Sequence, residues 1–124
     1  MSLVVDGAMM RLVGGANVPA AYARVNATWP LAVLVLEGSR LSLRLRWPGR
    51  LFGARDLRVT ADELVRVYPI QGFMSPGVGF RNRDGHDFYF WTYKGQQVLE
   101  TLRRSGYPIS YTLEKPSKIW RATP

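Results

Sequence analysis

The chain has 124 residues and a mass of 14.0 kDa, the size of one domain, and its 47% hydrophobic and 21% charged residues are typical of a globular protein. It contains no cysteine, which excludes disulfides, thiolate metal sites and cysteine nucleophiles, and it has one histidine, His86. Seventeen basic residues against nine acidic ones give a net charge of +8, which favours an anionic partner. Most of the basic residues are arginine, a skew that the base composition of a genome also produces.

The longest apolar run, residues 29–36, is much shorter than the roughly 20 residues that span a bilayer. Asp6 interrupts the apolar stretch near the N-terminus. We therefore expect neither a transmembrane helix nor a signal peptide, and we expect a cytoplasmic protein.

The first clear pattern in the chain predicts a β-hairpin. Residues 29–36 are apolar on both faces, as in a buried strand, and Glu37-Gly38-Ser39 is typical of the tight turn that follows. Residues 40–47 alternate, with apolar side chains on one face and polar side chains on the other, namely Arg40, Ser42, Arg44 and Arg46. We expect a half-buried strand whose arginine face is solvated.

Further alternating runs predict strands at residues 57–60, 65–70, 78–82 and 86–93. Asp84-Gly85 lies between the last two and is a hairpin signal. Near the C-terminus, residues 109–113 are weakly strand-like, and we expect the tail from Glu114 to dock on the sheet or on a partner.

One helix follows the strands. From residue 95 to residue 105 the apolar side chains Val98, Leu99 and Leu102 form a stripe at helical spacing. Gly106 and Pro108 end the helix, because glycine adopts the left-handed conformation and proline prevents continuation.

This order of elements resembles the pleckstrin-homology-like (PH-like) fold, and more specifically the bacterial PH-like or GRAM-like domains. The matching segments are Trp29-Pro30-Leu31-Ala32, Gly77-Val78-Gly79-Phe80, Phe88-Tyr89-Phe90-Trp91-Thr92, and Val98-Leu99 through Leu102 to Gly106-Tyr107. The resemblance implies a mainly β protein, a partly open barrel of about seven antiparallel strands capped by one C-terminal amphipathic helix. It places the domain at residues 21–109, with residues 1–20 as an extra strand or arm and residues 110–124 as an extension. A different small β-barrel, such as an OB-like one, is the alternative, although OB barrels usually place their helix between strands.

The resemblance also indicates where an anionic ligand binds. Lipid-binding members carry an Arg-x-Arg pair on the second strand, and Arg44-Leu45-Arg46 matches it here. The candidate anion-binding residues are Arg40, Arg44, Arg46, Arg81 and Arg83. Phe73 and Met74 are candidates for insertion into a membrane surface, or else they cap the open end of the barrel.

Catalysis has little support in the sequence. His86 lies beside a turn, and spacing assigns it no nucleophile. We expect no catalytic residue, no metal and no cofactor. The predicted function is a binding or scaffold module for another protein, with an anionic membrane surface or phosphoinositide as the alternative and nucleic acid as a further one. Self-association through a strand edge also stays open.

Overall fold

A computed structural model describes residues 4–6, 9–19, 24–45, 57–72 and 75–115. These residues form eight β-strands and one α-helix. The strands are β1 (Val4–Asp6), β2 (Met9–Pro19), β3 (Arg24–Glu37), β4 (Arg40–Leu45), β5 (Leu57–Thr60), β6 (Leu64–Gln71), β7 (Pro76–Asn82) and β8 (Asp87–Trp91). The helix is α1 (Gly95–Arg104), and a short 3₁₀ helix, Ala61–Glu63, joins β5 to β6.

The strands form one antiparallel sheet in the order β5-β4-β3-β2-β8-β7-β6. The eleven-residue strand β2 connects the two halves of this sheet. One of its edges pairs with β3, while the other pairs with β1 at Met9–Arg11 and with β8 at Gly15–Asn17. The prediction of a mainly β fold with one helix after the strands is thus confirmed, and β2, which lies within residues 1–20, is central to the sheet.

The sheet is strongly curved. Laid flat, the seven strands from β5 to β6 in this order would extend over about 29 Å at a spacing of about 4.8 Å. Yet β5 and β6, at opposite ends of the strand order, are joined by only three residues, which extend over at most about 11 Å. One end of β5 therefore lies near one end of β6.

The core lies on the inner face of this curved sheet. Alternate residues of the strands are buried there, among them Leu12, Leu34, Leu43 and Phe90. Helix α1 packs on β6 and β7 through its predicted apolar stripe, in which Val98, Leu99 and Leu102 are fully buried. Burial of side chains of this size stabilises the fold by about 1.5–3 kcal/mol each, so the apolar face, rather than the short helix itself, holds α1 in place.

Both predicted hairpins are present. Gly38 and Ser39 form the two-residue turn between β3 and β4, and Gly38 has a φ of +59°. Gly85, with a φ of +82°, lies in the turn between β7 and β8. A side chain is strained at positive φ, so glycine is the favoured residue at both positions.

Some expectations differ from the structure. Ser42, expected on a solvated face, is 6% exposed. The stretch 109–113 forms no strand of its own; instead, two isolated bridges connect Ile109 and Glu114 to β6 in parallel orientation. Parallel addition to a strand edge carries no local sequence pattern, because its register depends on the strand to which it pairs.

Candidate functional site

Four arginines lie on the outer face of the β2–β5 half of the sheet. The strand registers place Arg11 opposite Val35, Val35 opposite Ser42, and Ser42 opposite Arg58, in one row across four strands. Because side chains directly opposite each other point to the same face, Arg11 and Arg58 share the outer face.

Arg40 and Arg44 project from the same face of β4. They lie two residues to either side of Ser42, so they have the same orientation as Ser42. All four arginines are exposed, and we refer to Arg11, Arg40, Arg44 and Arg58 as the basic outer face. At about 4.8 Å per strand and about 3.4 Å per residue, it measures roughly 14 Å in each direction.

The centre of the basic outer face is apolar and closed. Val33 and Val35 lie between the arginines and are only 6% and 7% exposed. The nearest acidic side chain in the strand registers is the exposed Glu37, opposite Arg40. Guanidinium groups bind carboxylates and phosphates through paired hydrogen bonds, so this face is suited to an anionic partner.

A second arrangement lies on the outer face of the β6–β8 half. We call it the carboxylate–arginine cluster, and its members are Arg66, Tyr68, Arg81, Asp87 and Glu114. The Arg81 guanidinium donates from Nε to Asp87 Oδ1 at 3.0 Å and from Nη2 to Asp87 Oδ2 at 3.1 Å. The Tyr68 hydroxyl donates to Asp87 Oδ2 at 2.5 Å.

Burial and hydrogen bonding shift the pKa values of two groups in this cluster. Asp87 is 4% exposed and Tyr68 is 1% exposed. Desolvation, followed by the hydrogen bond to Asp87, raises the pKa of Tyr68 well above its ordinary value. The hydrogen bond to Asp87 likewise raises the pKa of Arg81. Tyr68 therefore stays a neutral donor near pH 7 rather than a nucleophile or general base.

The cluster also holds the C-terminal part of the described chain. Glu114 binds Arg81 Nη2 through Oε1 at 3.1 Å and Arg66 Nη2 through Oε2 at 2.9 Å. Both guanidinium groups lie over the ring of Tyr68, at 5.6 Å for Arg66 and 5.1 Å for Arg81 from the ring centre. The two arginines and two carboxylates balance in charge.

Glycine makes room for this arrangement. Gly79 lies opposite both Tyr68 and Tyr89 in the sheet, and a Cβ atom at residue 79 would lie 2.4 Å from Cε2 of Tyr68. Gly79 thus has a structural role within the Gly77-Val78-Gly79-Phe80 segment, because the absence of a side chain lets the ring of Tyr68 lie close to the backbone of the sheet.

Three of the predicted site residues lie in these two places. Arg40 and Arg44 belong to the basic outer face, and Arg81 belongs to the cluster. Arg83 Nε donates to the backbone carbonyl of Asp62 in an exposed turn. Arg46, Phe73 and Met74 lie outside the described residues, as does the tail beyond residue 115.

Sequence reasoning did not select Arg11, Arg58, Arg66, Tyr68, Asp87 or Glu114 as site residues. Alternation within β5 could have placed Arg58 on an outer face, but its proximity to Arg11 depends on pairing across four strands. The cluster brings together residues up to 48 positions apart, from Arg66 to Glu114, and no local pattern indicates it.

No protein-family model matches the chain, and no curated protein matches it. Within the described residues, no group of three or more His, Asp or Glu side chains is placed to hold a metal ion. The part of the chain that the structure describes also has no helix long and apolar enough to cross a membrane.

Proposed function

We propose that the protein is a non-catalytic binding module that holds an acidic segment of a partner protein on its basic outer face. The observation that carries this proposal is the convergence of Arg11, Arg40, Arg44 and Arg58, from β2, β4 and β5, on one face of the sheet. An acidic segment complements them in charge, and each guanidinium can bind a carboxylate through two hydrogen bonds.

The fold supports this proposal. A curved antiparallel sheet, followed by one helix packed on β6 and β7, agrees with the PH-like arrangement expected from the resemblance, which we retain as part of the proposal. The closed floor formed by Val33 and Val35 favours a flat contact over a deep pocket for a small molecule. The buried tyrosine and aspartate of the cluster hold each other and the adjacent arginine, which favours a structural role for them over a catalytic one.

Charge reversal tests the proposal. The double variant Arg40→Glu/Arg44→Glu is compared with Arg104→Glu/Lys115→Glu, which makes the same change in net charge at exposed residues outside β2–β5. The probe is a labelled deca-glutamate peptide, and its binding is measured by fluorescence anisotropy at low and at physiological salt. We expect at least tenfold weaker binding for the Arg40/Arg44 variant and little change for the control. Peptide binding by the parent protein and by the control should weaken as the Debye length falls from about 30 Å at 0.01 M salt to about 8 Å at 0.15 M salt.

Folding of the double variant is a separate readout. Because Arg40 and Arg44 are exposed, we expect cooperative unfolding with a free energy within about 1 kcal/mol of the parent protein. Loss of cooperative unfolding would show that this face is packed rather than solvated. Equal peptide binding by the parent and the double variant would refute the proposal.

The same proteins distinguish a membrane partner. Co-sedimentation compares neutral phosphatidylcholine vesicles with vesicles that also contain phosphatidylserine. If the protein pellets only with the anionic vesicles, if this requires Arg40 and Arg44, and if the peptide does not bind, the partner is a membrane surface and the proposal of a protein partner is wrong.

A further inference from the structure

The edge of β6 carries an added segment, residues 108–115, that runs parallel to it. The amide of Val67 donates to the carbonyl of Pro108 at 2.8 Å, and the amide of Ser110 donates back to Val67 at 2.7 Å. Further along, the amide of Glu114 donates to Pro69 at 3.0 Å, and the amide of Gln71 donates to Glu114 at 3.2 Å. The backbone of β6 therefore already pairs with a segment of the same chain at two points.

One side chain of this segment, the carboxylate of Glu114, is bound by two arginines. Arg66 and Arg81 each bind one carboxylate oxygen of Glu114, above the buried ring of Tyr68. The Nε atom of Arg66 is buried and has no hydrogen-bond partner. The pair of arginines thus binds one carboxylate and leaves this donor unpaired.

Beyond Ser110 most of the segment is exposed. Ile109 pairs with Val67 and Glu114 pairs with Ile70, so five residue steps of the segment extend along only three steps of β6. The extra residues loop outward, and Tyr111 and Leu113 there are 52% and 60% exposed. Ile109 packs against the core, and beyond it the segment is held by backbone hydrogen bonds, the Glu114 carboxylate, and the hydrogen bond from Tyr111 to Glu100 of α1.

We propose that the edge of β6, with Arg66 and Arg81, is a peptide-binding site for an extended acidic segment of a partner protein, and that residues 108–115 occupy it as an intramolecular competitor. The partner segment adds parallel to β6 and places a carboxylate between the two arginines, as Glu114 does. Main-chain hydrogen bonds supply affinity in this mode of recognition, and the arginine pair supplies specificity. This site is separate from the basic outer face and does not depend on it.

The test uses the full chain with two substitutions that weaken the attachment of residues 108–115 to β6; we call this double variant the opened protein. Ser110→Pro removes one backbone donor, and Glu114→Gln removes the carboxylate charge. The probe is a labelled peptide with the sequence of residues 108–115, acetylated and amidated at its ends so that its net charge is zero. We expect the double variant to bind this peptide at least tenfold more tightly than the parent protein does, because a tethered competitor acts at an effective concentration in the millimolar range.

Three controls make the test specific. A peptide with glutamine in place of its glutamate should bind the opened protein at least tenfold more weakly. Arg66→Gln in the opened protein should weaken binding to a similar extent, whereas Arg58→Gln, which removes an equal charge from the basic outer face, should not. Glu114→Gln alone should increase hydrogen exchange at the amide of Ser110, and this covers the case in which the proline variant folds poorly.

Several outcomes would overturn the proposal. The first is failure of the opened protein to bind the peptide. The second is equally tight binding of the peptides with glutamate and with glutamine, and the third is an equal loss of binding in the Arg66 and Arg58 variants. Unchanged hydrogen exchange at Ser110 in the Glu114 variant would likewise show that the carboxylate does not hold the segment.

Discussion

Asp87 is the residue at which a conservative substitution should have the largest effect. Asp87→Asn keeps the size of the side chain but removes its charge and turns one acceptor into a donor. That donor must face either the Arg81 guanidinium or the Tyr68 hydroxyl, both of which now donate to the carboxylate. The substitution therefore breaks a buried charged pair as well as changing one hydrogen bond.

The structure sets the expected size of this effect. Removing one partner of a buried ion pair costs about 3–5 kcal/mol when the other is left buried and uncompensated. Here Arg81 is 31% exposed and retains Glu114, so the penalty is smaller. A hydrogen bond to a charged group is worth about 1.5–3 kcal/mol, and we expect Asp87→Asn to lower the free energy of unfolding by about 2–3 kcal/mol. In a domain of this size, that lowers Tm by about 8–12 °C.

A double-mutant cycle makes the reasoning specific. Tyr68→Phe removes one of the donors to the buried Asp87 carboxylate and should cost about 1.5–3 kcal/mol. Since the two residues share a hydrogen bond, the double variant should be less destabilised than the sum of the single variants by about 0.5–1 kcal/mol. Urea unfolding followed by circular dichroism measures all four proteins, with Asp84→Asn in the exposed turn as a control expected to change stability by less than about 0.5 kcal/mol. An Asp87→Asn protein as stable as the control, or a strictly additive cycle, would refute the account of the cluster.

Two further predictions concern packing and pH. Gly79→Ala should destabilise the protein by about 1–3 kcal/mol in urea unfolding, because its Cβ would overlap a tyrosine ring held by a hydrogen bond. Gly95→Ala is the matched control, since a Cβ there meets nothing closer than 3.6 Å; equal effects of the two would contradict the close-approach argument. Burial raises the pKa of Tyr107 from 10.0 to about 12, so its neutral form favours the folded state, and the associated stability is complete below pH 10 and is lost as the pH rises toward 12. The stability difference between the parent protein and Tyr107→Phe should therefore be smaller at pH 11.5 than at pH 8, and a constant difference would rule out this linkage.

Much of the local structure was predictable from the sequence. Alternation over residues 40–45 predicts a strand with Leu41 and Leu43 inside and Arg40 and Arg44 outside, and the structure agrees. Helix α1 and its buried stripe were equally clear. These features depend on periods of two and about 3.6 residues, which are properties of the backbone and appear in any short window of sequence.

Strand pairing was not predictable in the same way. Nothing local in the sequence indicates that Arg11 and Arg58 lie on the same face. Only the registers of β2 with β3, β3 with β4 and β4 with β5 place them in one row. Ser42 illustrates the same limit: its own strand alternates, yet the residue is only 6% exposed.

The chain by itself therefore determined several of the strands after residue 29, where two hairpins turn, and which helical face is apolar, since each follows from residues within a few positions of one another. Only the tertiary structure decided that β2 joins the two halves of the sheet, that Gly79 supports the ring of Tyr68, and that Glu114 reaches Arg66 and Arg81. The physical reason is that these contacts close long loops, and their partners are selected by curvature, register and burial rather than by neighbouring residues.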